Sequence, residues 1–460
     1  MKEENGMERD VMADLVRWKD SRHRKPLVMR GLRQVGKTWI LKEFGKRYFE
    51  NLAYFSFDEK PEIASFFETT KDAGRIISNL SMLHGQPIHP GKTLVIFDEI
   101  QECNSALNSL KYFQENAPEY HVACAGSLLG IALSKPSSFP VGKVDFLNVR
   151  PMSFSEFLAA NGDNNLVEYL HGLESIEPIP EAFFNPLIER LKAYFVTGGM
   201  PESILAWTEH RDAGRVQEVL SAILDAYALD FSKHAPVKDI PKLGMIWNSI
   251  PSQLARENKK FLYNAMRTGA RAREYEDALA WLCDAGLAHK VFRCSKPGLP
   301  LSAYEDGSAF KIYMADVGIL RRKAQLDPSA FGDGVRLFTE FKGALTENYV
   351  LQGLVELLSE TPRYWSSGGQ AEVDFLMQWK NLIIPVEVKA DRNVRSISLT
   401  LYGQKYSADT PIKIRFSLNN LRLDGNILNI PLFMIDELKR LLFLALEQQT
   451  QPNKAPQPKA

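Results

Sequence analysis

Eight consecutive residues, Gly31-Leu32-Arg33-Gln34-Val35-Gly36-Lys37-Thr38, fit the pattern GxxxxGK[ST] at every required position. The glycines let the main chain curl so that several N–H groups point inward. A curl of that kind, opening a helix whose N-terminus carries partial positive charge, cradles phosphate oxygens. The Lys37 ammonium has the reach for β- and γ-phosphates, and the Thr38 hydroxyl is a ligand for Mg²⁺. All eight residues are therefore expected to line a site for ATP with Mg²⁺. Further on, Thr93-Leu94-Val95-Ile96-Phe97-Asp98-Glu99 is an apolar run that ends in two acids. Asp98 is expected to hold Mg²⁺, directly or through water, and Glu99 to polarise the attacking water. An arginine finger would have to come in cis or from a neighbour; Lys143 and Arg150, which flank the fifth apolar run, are candidates, with a solvated surface charge as the alternative for each.

A second constellation lies near the C-terminus. Asp374, in Ala371–Leu376, and Glu387, in Ile384–Lys389, fall on two apolar runs that can form a hairpin. Glu387 and Lys389 are two residues apart, so on a strand they share a face. Glu347 lies on a helical stretch before them, and Gln404 lies after. The arrangement resembles the PD-(D/E)XK nuclease core, in which carboxylates hold one or two Mg²⁺ ions and a lysine orients or activates water at a scissile phosphate. An active nuclease, a nuclease-like module used for binding or assembly, and a chance arrangement of charged edge residues all remain open.

These residues need elements to hold them. Short apolar runs at Pro26–Arg30, Leu52–Phe57, Thr93–Phe97, His121–Ala125 and Val144–Val149 alternate with amphipathic stretches such as Trp39–Phe49 and Ala106–Asn116. That alternation predicts an α/β domain over residues 26–150, a doubly wound parallel sheet covered on both faces. An apolar strand between the loop and the acids resembles the order of the additional-strand class of P-loop NTPases, and that resemblance implies that Ser127, after the run His121–Ala125, senses the γ-phosphate, with a turn or helix-cap serine as the alternative. A helical segment over residues 1–25 precedes it. Residues 151–335 are mainly helical, through Leu187–Val196, Val216–Phe231 and Arg273–Leu282. Two short strands, Leu287–Phe292 and Phe310–Met314, follow around a Gly/Pro-rich turn and suggest a winged helix. Residues 336–445 combine a helix at Leu345–Leu358 with strands at Tyr364–Ser366, Val373–Trp379 and Leu382–Val388, an α/β nuclease-like domain. Residues 446–460, rich in Gln, Pro and Lys, are expected to be disordered.

Composition narrows the functions on offer. The chain has 460 residues, 45% hydrophobic and 24% charged, and at roughly 150 residues per domain it should hold about three domains. Lys plus Arg is 56 and Asp plus Glu is 56, so no whole-molecule field that gathers nucleic acid or anionic membrane is expected, and any such binding needs a local patch. One basic stretch contains Arg256, Lys259, Lys260, Arg267, Arg271 and Arg273 against Glu257 and Glu274. As a positive helix in a winged-helix module it could contact DNA phosphates; as a solvated face, or a nucleotide-sensing patch at a domain boundary, it would not. Trp247 and Trp281 fit helical core. The four cysteines lie far apart with no CxxC pair, which predicts reduced thiols and no zinc site. With no apolar leader at the N-terminus and no apolar run near the ~20 residues of a membrane span, the expectation is a cytoplasmic protein with no membrane partner.

Taken together, the loop, the Phe97-Asp98-Glu99-Ile100-Gln101 acids, Ala125-Gly126-Ser127, Phe139-Pro140-Val141-Gly142 and Pro151–Phe157 resemble the AAA-type ATPases of bacteria and archaea that carry a C-terminal domain of unknown function. Tyr194–Glu202 resembles that family's GG-x-P segment, and Lys311–Gly318 its segment after the wing. Many relatives have arginine after the Pro-Val-Gly turn, where this chain has Lys143, a residue without a planar fork. The resemblance implies ATP hydrolysis to ADP and phosphate, and relatives of this class often form rings or dimers. Three readings follow: an ATPase whose C-terminal half contacts DNA, a regulatory NTPase with a protein partner and an inactive nuclease-like domain, and an ATP-dependent endonuclease.

Overall fold

The computed structural model describes residues 7–127, 140, 142–257, 259–331, 341–369, 371–390, 397–406 and 410–450. The chain forms two compact units. One comprises residues 1–152, 226–240 and 279–287; the other comprises residues 153–225, 241–278 and 288–460.

The first unit is built on strands β1 (Leu27–Gly31), β2 (Asn51–Ser56), β3 (Thr93–Asp98), β4 (His121–Ser127) and β5 (Asp145–Val149), with order β2-β3-β4-β1-β5. Every pairing is parallel. The expected parallel sheet is present, and β4 sits between β1 and β3. Parallel strands covered on both faces must be apolar throughout, and all six residues of β3 are buried. Phe97 of β3 is the hub of an aromatic cluster, with ring centroids 6.2, 5.9, 5.4 and 6.3 Å from those of Phe55, Phe57, Phe67 and Phe113. Helices α1 (Val11–Asp20), α2 (Lys37–Tyr48), α3 (Ala64–Thr69), α4 (Ala73–His84) and α5 (Asn104–Asn116) belong to this unit. Helix α1 buries Leu15 and Trp18, and the Trp18 indole donates to the Lys25 carbonyl at 2.8 Å.

The second unit contains most of the helical middle region and an eight-stranded mixed sheet. Its strands are β6 (Ala288–Cys294), β7 (Glu305–Met314), β8 (Arg363–Ser366), β9 (Glu372–Trp379), β10 (Leu382–Val388), β11 (Lys413–Ser417), β12 (Arg422–Asp424) and β13 (Ile427–Pro431). The order is β12-β13-β11-β10-β9-β8-β6-β7. The hairpin expected from the sequence is β9–β10, with Leu382 opposite Trp379 and Val386 opposite Phe375. The ribbon β6–β7 is antiparallel as expected. It does not stand apart as a wing, because the free edge of β6 pairs in parallel with β8 through Arg293–Tyr364 and Cys294–Trp365, and an open edge is satisfied by joining a larger sheet.

Two further expectations change. The basic stretch around residues 256–271 is not a helix. The preceding helix ends at Leu254, and only a short 3-10 turn at Tyr263–Ala265 follows. The reason is tertiary: the Phe261 N–H donates to the Phe310 carbonyl at 2.8 Å, its ring stacks on Phe310 at 5.6 Å, and Lys259 turns inward to pair with Glu347. The tail is shorter than expected, because helix Leu438–Thr450 continues through Gln448 with Leu441, Leu442 and Ala445 fully buried; residues 451–460 lie outside the described residues. Trp247 and Trp281 are buried, as expected of core.

Candidate functional site

The loop Gly31–Gly36 leaves the carboxyl end of β1 and turns directly into α2. Two glycines are dictated by geometry. A Cβ on Gly31 would fall 2.2 Å from the Val149 carbonyl oxygen on β5, closer than any real side chain tolerates. Gly36 caps α2 with φ 90°, the left-handed region where glycine has no steric penalty. Gln34 also takes a positive φ, 64°. This curl aims the unsatisfied N–H groups of the first turn of α2 outward from the carboxyl ends of the strands, where ligands of open α/β sheets collect.

Lys37 is buried, and its ammonium donates to the loop carbonyls of Gly31 at 3.1 Å and Leu32 at 2.8 Å. Burial lowers its pKa to about 8, against the opposing pull of Glu99 and Asp98. The Thr38 hydroxyl donates to Asp98 at 2.9 and 3.1 Å. A hydroxyl and a carboxylate in contact at the helix start are the hard oxygen donors that Mg²⁺ prefers, so the residues present fit a magnesium nucleotide. Glu99 follows Asp98 with φ 50°, uncommon for a residue with a side chain. Its N–H donates to Asp98 at 3.1 Å, and its carboxylate accepts from the Gln101 amide. The strand end thus presents two adjacent carboxylates, each held by a hydrogen bond.

Some contributors were missing from the sequence reading. Tyr54 on β2 donates its hydroxyl to Asp98 at 2.8 Å, and the Lys42 ammonium lies 3.5 Å over its ring. Burial first, and Asp98 second, raise the Tyr54 phenol above the ordinary range. Arg9, buried ahead of α1, donates to the Val35 carbonyl at 3.2 Å and the Arg150 carbonyl at 2.8 Å, tying the loop to the segment after β5. Nothing in the charged N-terminal sequence marks Arg9 out. Ser127 ends β4, but its side chain lies outside the described residues, as do Phe139 and Val141. Lys143 is bound to Glu115 at 2.9 Å, which gives this residue a local ion-pair role.

In the second unit the four nuclease-like candidates are distributed over two groups. Glu347, on helix Lys342–Leu358, pairs with Lys259 and accepts from the Tyr313 hydroxyl at 3.0 Å. Asp374 belongs to the same buried cluster; burial and then Glu347 push its carboxyl up to about 7, while it accepts the Val388 N–H at 2.8 Å. Lys311, fully buried on β7, pairs with Glu372, and Glu347, Glu372 and Asp374 hold its pKa above the usual lysine value despite burial. Glu387 instead faces Lys389 at 3.3 Å and Arg415 at 3.5 Å, and Arg415 also donates to Asn429 at 3.0 Å. Gln404 is exposed. Among the described residues no three His, Cys, Asp or Glu side chains are grouped to hold a metal ion.

A parallel sheet of order 2-3-4-1-5, a glycine loop opening a helix and a Thr–Asp contact across that opening define a P-loop NTPase. The sequence comparisons agree and go one step further. Residues 23–158 match the AAA domain, residues 188–330 a Domain of unknown function (DUF8612), and residues 342–433 a Domain of unknown function (DUF4143). The chain carries an AAA-type P-loop ATPase domain followed by two domains of unknown function. No curated protein sequence matches it. Solved structures similar to it include the Walker-type ATPase PABY2304 of Pyrococcus abyssi, with 14% identity over 69% of this chain and 95% of that one at a TM-score of 0.43. Another is Cdc6p of Pyrobaculum aerophilum, with 11% identity over 68% and 92% at a TM-score of 0.25. A third is the RuvB Holliday junction branch migration motor of Thermotoga maritima, with 13% identity over 63% and 89% at a TM-score of 0.28. No described helix is long and apolar enough to cross a membrane.

Proposed function

We propose that this chain hydrolyses ATP to ADP and phosphate at the loop Gly31–Thr38. The observation that carries the reading is the Thr38–Asp98 contact at 2.9 Å, which joins the start of α2 to the end of β3 where a magnesium triphosphate belongs. In this reading the N–H groups of residues 31–38 and the Lys37 ammonium bind the β- and γ-phosphates. Thr38 and Asp98 would hold Mg²⁺, which would supply positive charge against the phosphate oxygens. Tyr54 fixes the orientation of Asp98. Glu99 accepts the proton of a water attacking the γ-phosphorus, and Gln101 orients that carboxylate. Ser127, at the end of β4, is proposed to sense the γ-phosphate.

The C-terminal half is proposed to bind a partner in response to nucleotide, with DNA the first candidate. Arg256, Arg267, Arg271 and Arg273 are all exposed, and exposed arginines are the groups that contact phosphates. A nucleolytic role has less support. Glu347 is ion-paired to Lys259, and Glu387 faces Arg415 and Lys389, so these carboxylates already have cationic partners. That pairing favours a nuclease-like module used for binding. The test is phosphate release with and without single- and double-stranded DNA. Stimulation that weakens with salt supports the DNA reading. Indifference to DNA supports a protein partner, and plasmid nicking lost in Asp374→Ala would restore the nuclease reading.

A further inference from the structure

Arg33 is the third residue of the phosphate loop, yet its guanidinium is committed elsewhere. It forms an ion pair with Asp230 near the end of helix Ala213–His234. The same helix makes two more contacts with this region. Tyr227 donates its hydroxyl to the Arg33 main-chain oxygen at 3.3 Å. Lys233 pairs at 3.5 Å with Glu102, three residues past Glu99. Residues 227, 230 and 233 are spaced by three and share one helical face. Phe231 fixes the helix further, its ring 5.5 Å from that of Trp281 in an edge-on contact. One short stretch of helix therefore touches the phosphate loop through side chain and main chain, and touches the segment after the acids as well.

The chemistry of the pair matters more than its contribution to stability. Arginine presents a planar fork suited to phosphate oxygens. An arginine inside a phosphate loop is a natural ligand for a polyphosphate, and here a carboxylate already holds the fork. The Asp230 side chain is 17% exposed and that of Arg33 is 52% exposed; the guanidinium is the accessible member and can turn away, while the carboxylate stays with its helix.

We infer that Asp230 is an intramolecular competitor for Arg33 that weakens nucleotide binding at this loop and so sets its selectivity between triphosphate and diphosphate. Removing the carboxylate frees the fork for phosphate. The gain is larger for magnesium-ATP than for magnesium-ADP, because the interaction scales with ligand charge. The inference rests on the reading of the loop as an ATP site.

The experiment is titration of the full-length chain with fluorescent ATP and ADP analogues and Mg²⁺, in wild type, Asp230→Asn, Arg33→Ala and the double variant. Asp230→Asn is expected to bind the ATP analogue about 3- to 10-fold more tightly, the net scale of one partly exposed hydrogen bond, with a smaller gain for ADP. In the Arg33→Ala background the same substitution should give no further gain. Unchanged or weaker ATP binding by Asp230→Asn overturns the inference while leaving the ATP site intact. An equal gain in the Arg33→Ala background also overturns it, since the carboxylate would then act without Arg33. Wild type that takes up no analogue sinks the ATP reading itself, and the inference with it. Asp230→Ser, tested beside Asp230→Asn, must give the same direction, because both remove only the carboxylate from a partly exposed helical position.

Discussion

His121 opens β4 beside the N-terminal helix, and its burial makes a quantitative prediction about acid. Its ring lies 5.9 Å from Trp18 and 5.0 Å from Phe49, both edge-on. Nδ1 is buried and has no hydrogen-bond partner among the described residues; Nε2 lies 3.4 Å from the Lys19 carbonyl. Burial first, and nearby Arg24 second, lower the histidine pKa from 6.5 to about 4. A group whose folded pKa is depressed binds its proton more readily when unfolded, so stability is present above pH 6.5 and is lost as pH falls toward 4. Between pH 7 and pH 5 the loss comes to about 2 kcal/mol from these two pKa values. The consequence is functional as well, because α1 follows Arg9, which holds the Val35 carbonyl of the phosphate loop. Urea unfolding followed by tryptophan fluorescence at pH 7 and pH 5, on wild type and His121→Phe, isolates the effect. Wild type should lose about 2 kcal/mol more than the variant. An equal loss in both proteins, or an imidazole that titrates near its ordinary pKa by NMR, would refute the argument.

Other consequences can be checked alongside. Gly31→Ala forces a methyl to within 2.2 Å of the Val149 oxygen; it should abolish nucleotide binding and lower thermal stability by about 2 kcal/mol or more. Tyr54→Phe removes the 2.8 Å bond to Asp98. Phosphate release should slow roughly 3- to 10-fold, as expected for about 1 kcal/mol, with ATP affinity little changed. Lys311→Met leaves Glu372 and its buried neighbours without their cation and should destabilise the second unit by about 3 kcal/mol, measured by calorimetric melting; a neutral effect would mean the cluster is already solvated.

The nucleotide-binding half is legible in the sequence because its signals are local. Loop residues 31–38 are contiguous, and β3 announces itself by an apolar run ending in two acids. Contacts made at a distance are invisible there. Tyr54, Arg9 and Asp230 come from other parts of the chain, and each looks like an ordinary polar residue in its own neighbourhood. Lys311 did leave a trace: a lysine inside the apolar run Ala309-Phe310-Lys311-Ile312-Tyr313 demands a buried counter-charge, and the acids of Glu372, Glu347 and Asp374 supply it. The basic stretch misled because charge counts say nothing of direction, and Lys259 points inward to Glu347. The ribbon misled because pairing between β6 and β8 is set by distant residues, which periodicity cannot register.

The central claim is that loop and acids together bind and cleave ATP, and isothermal titration of magnesium-ATP into wild type and Lys37→Ala tests it most directly. The account predicts saturable uptake by wild type and loss of that uptake in a variant that retains its fold. Absence of binding by well-folded wild type, or equal binding by both proteins, would contradict it.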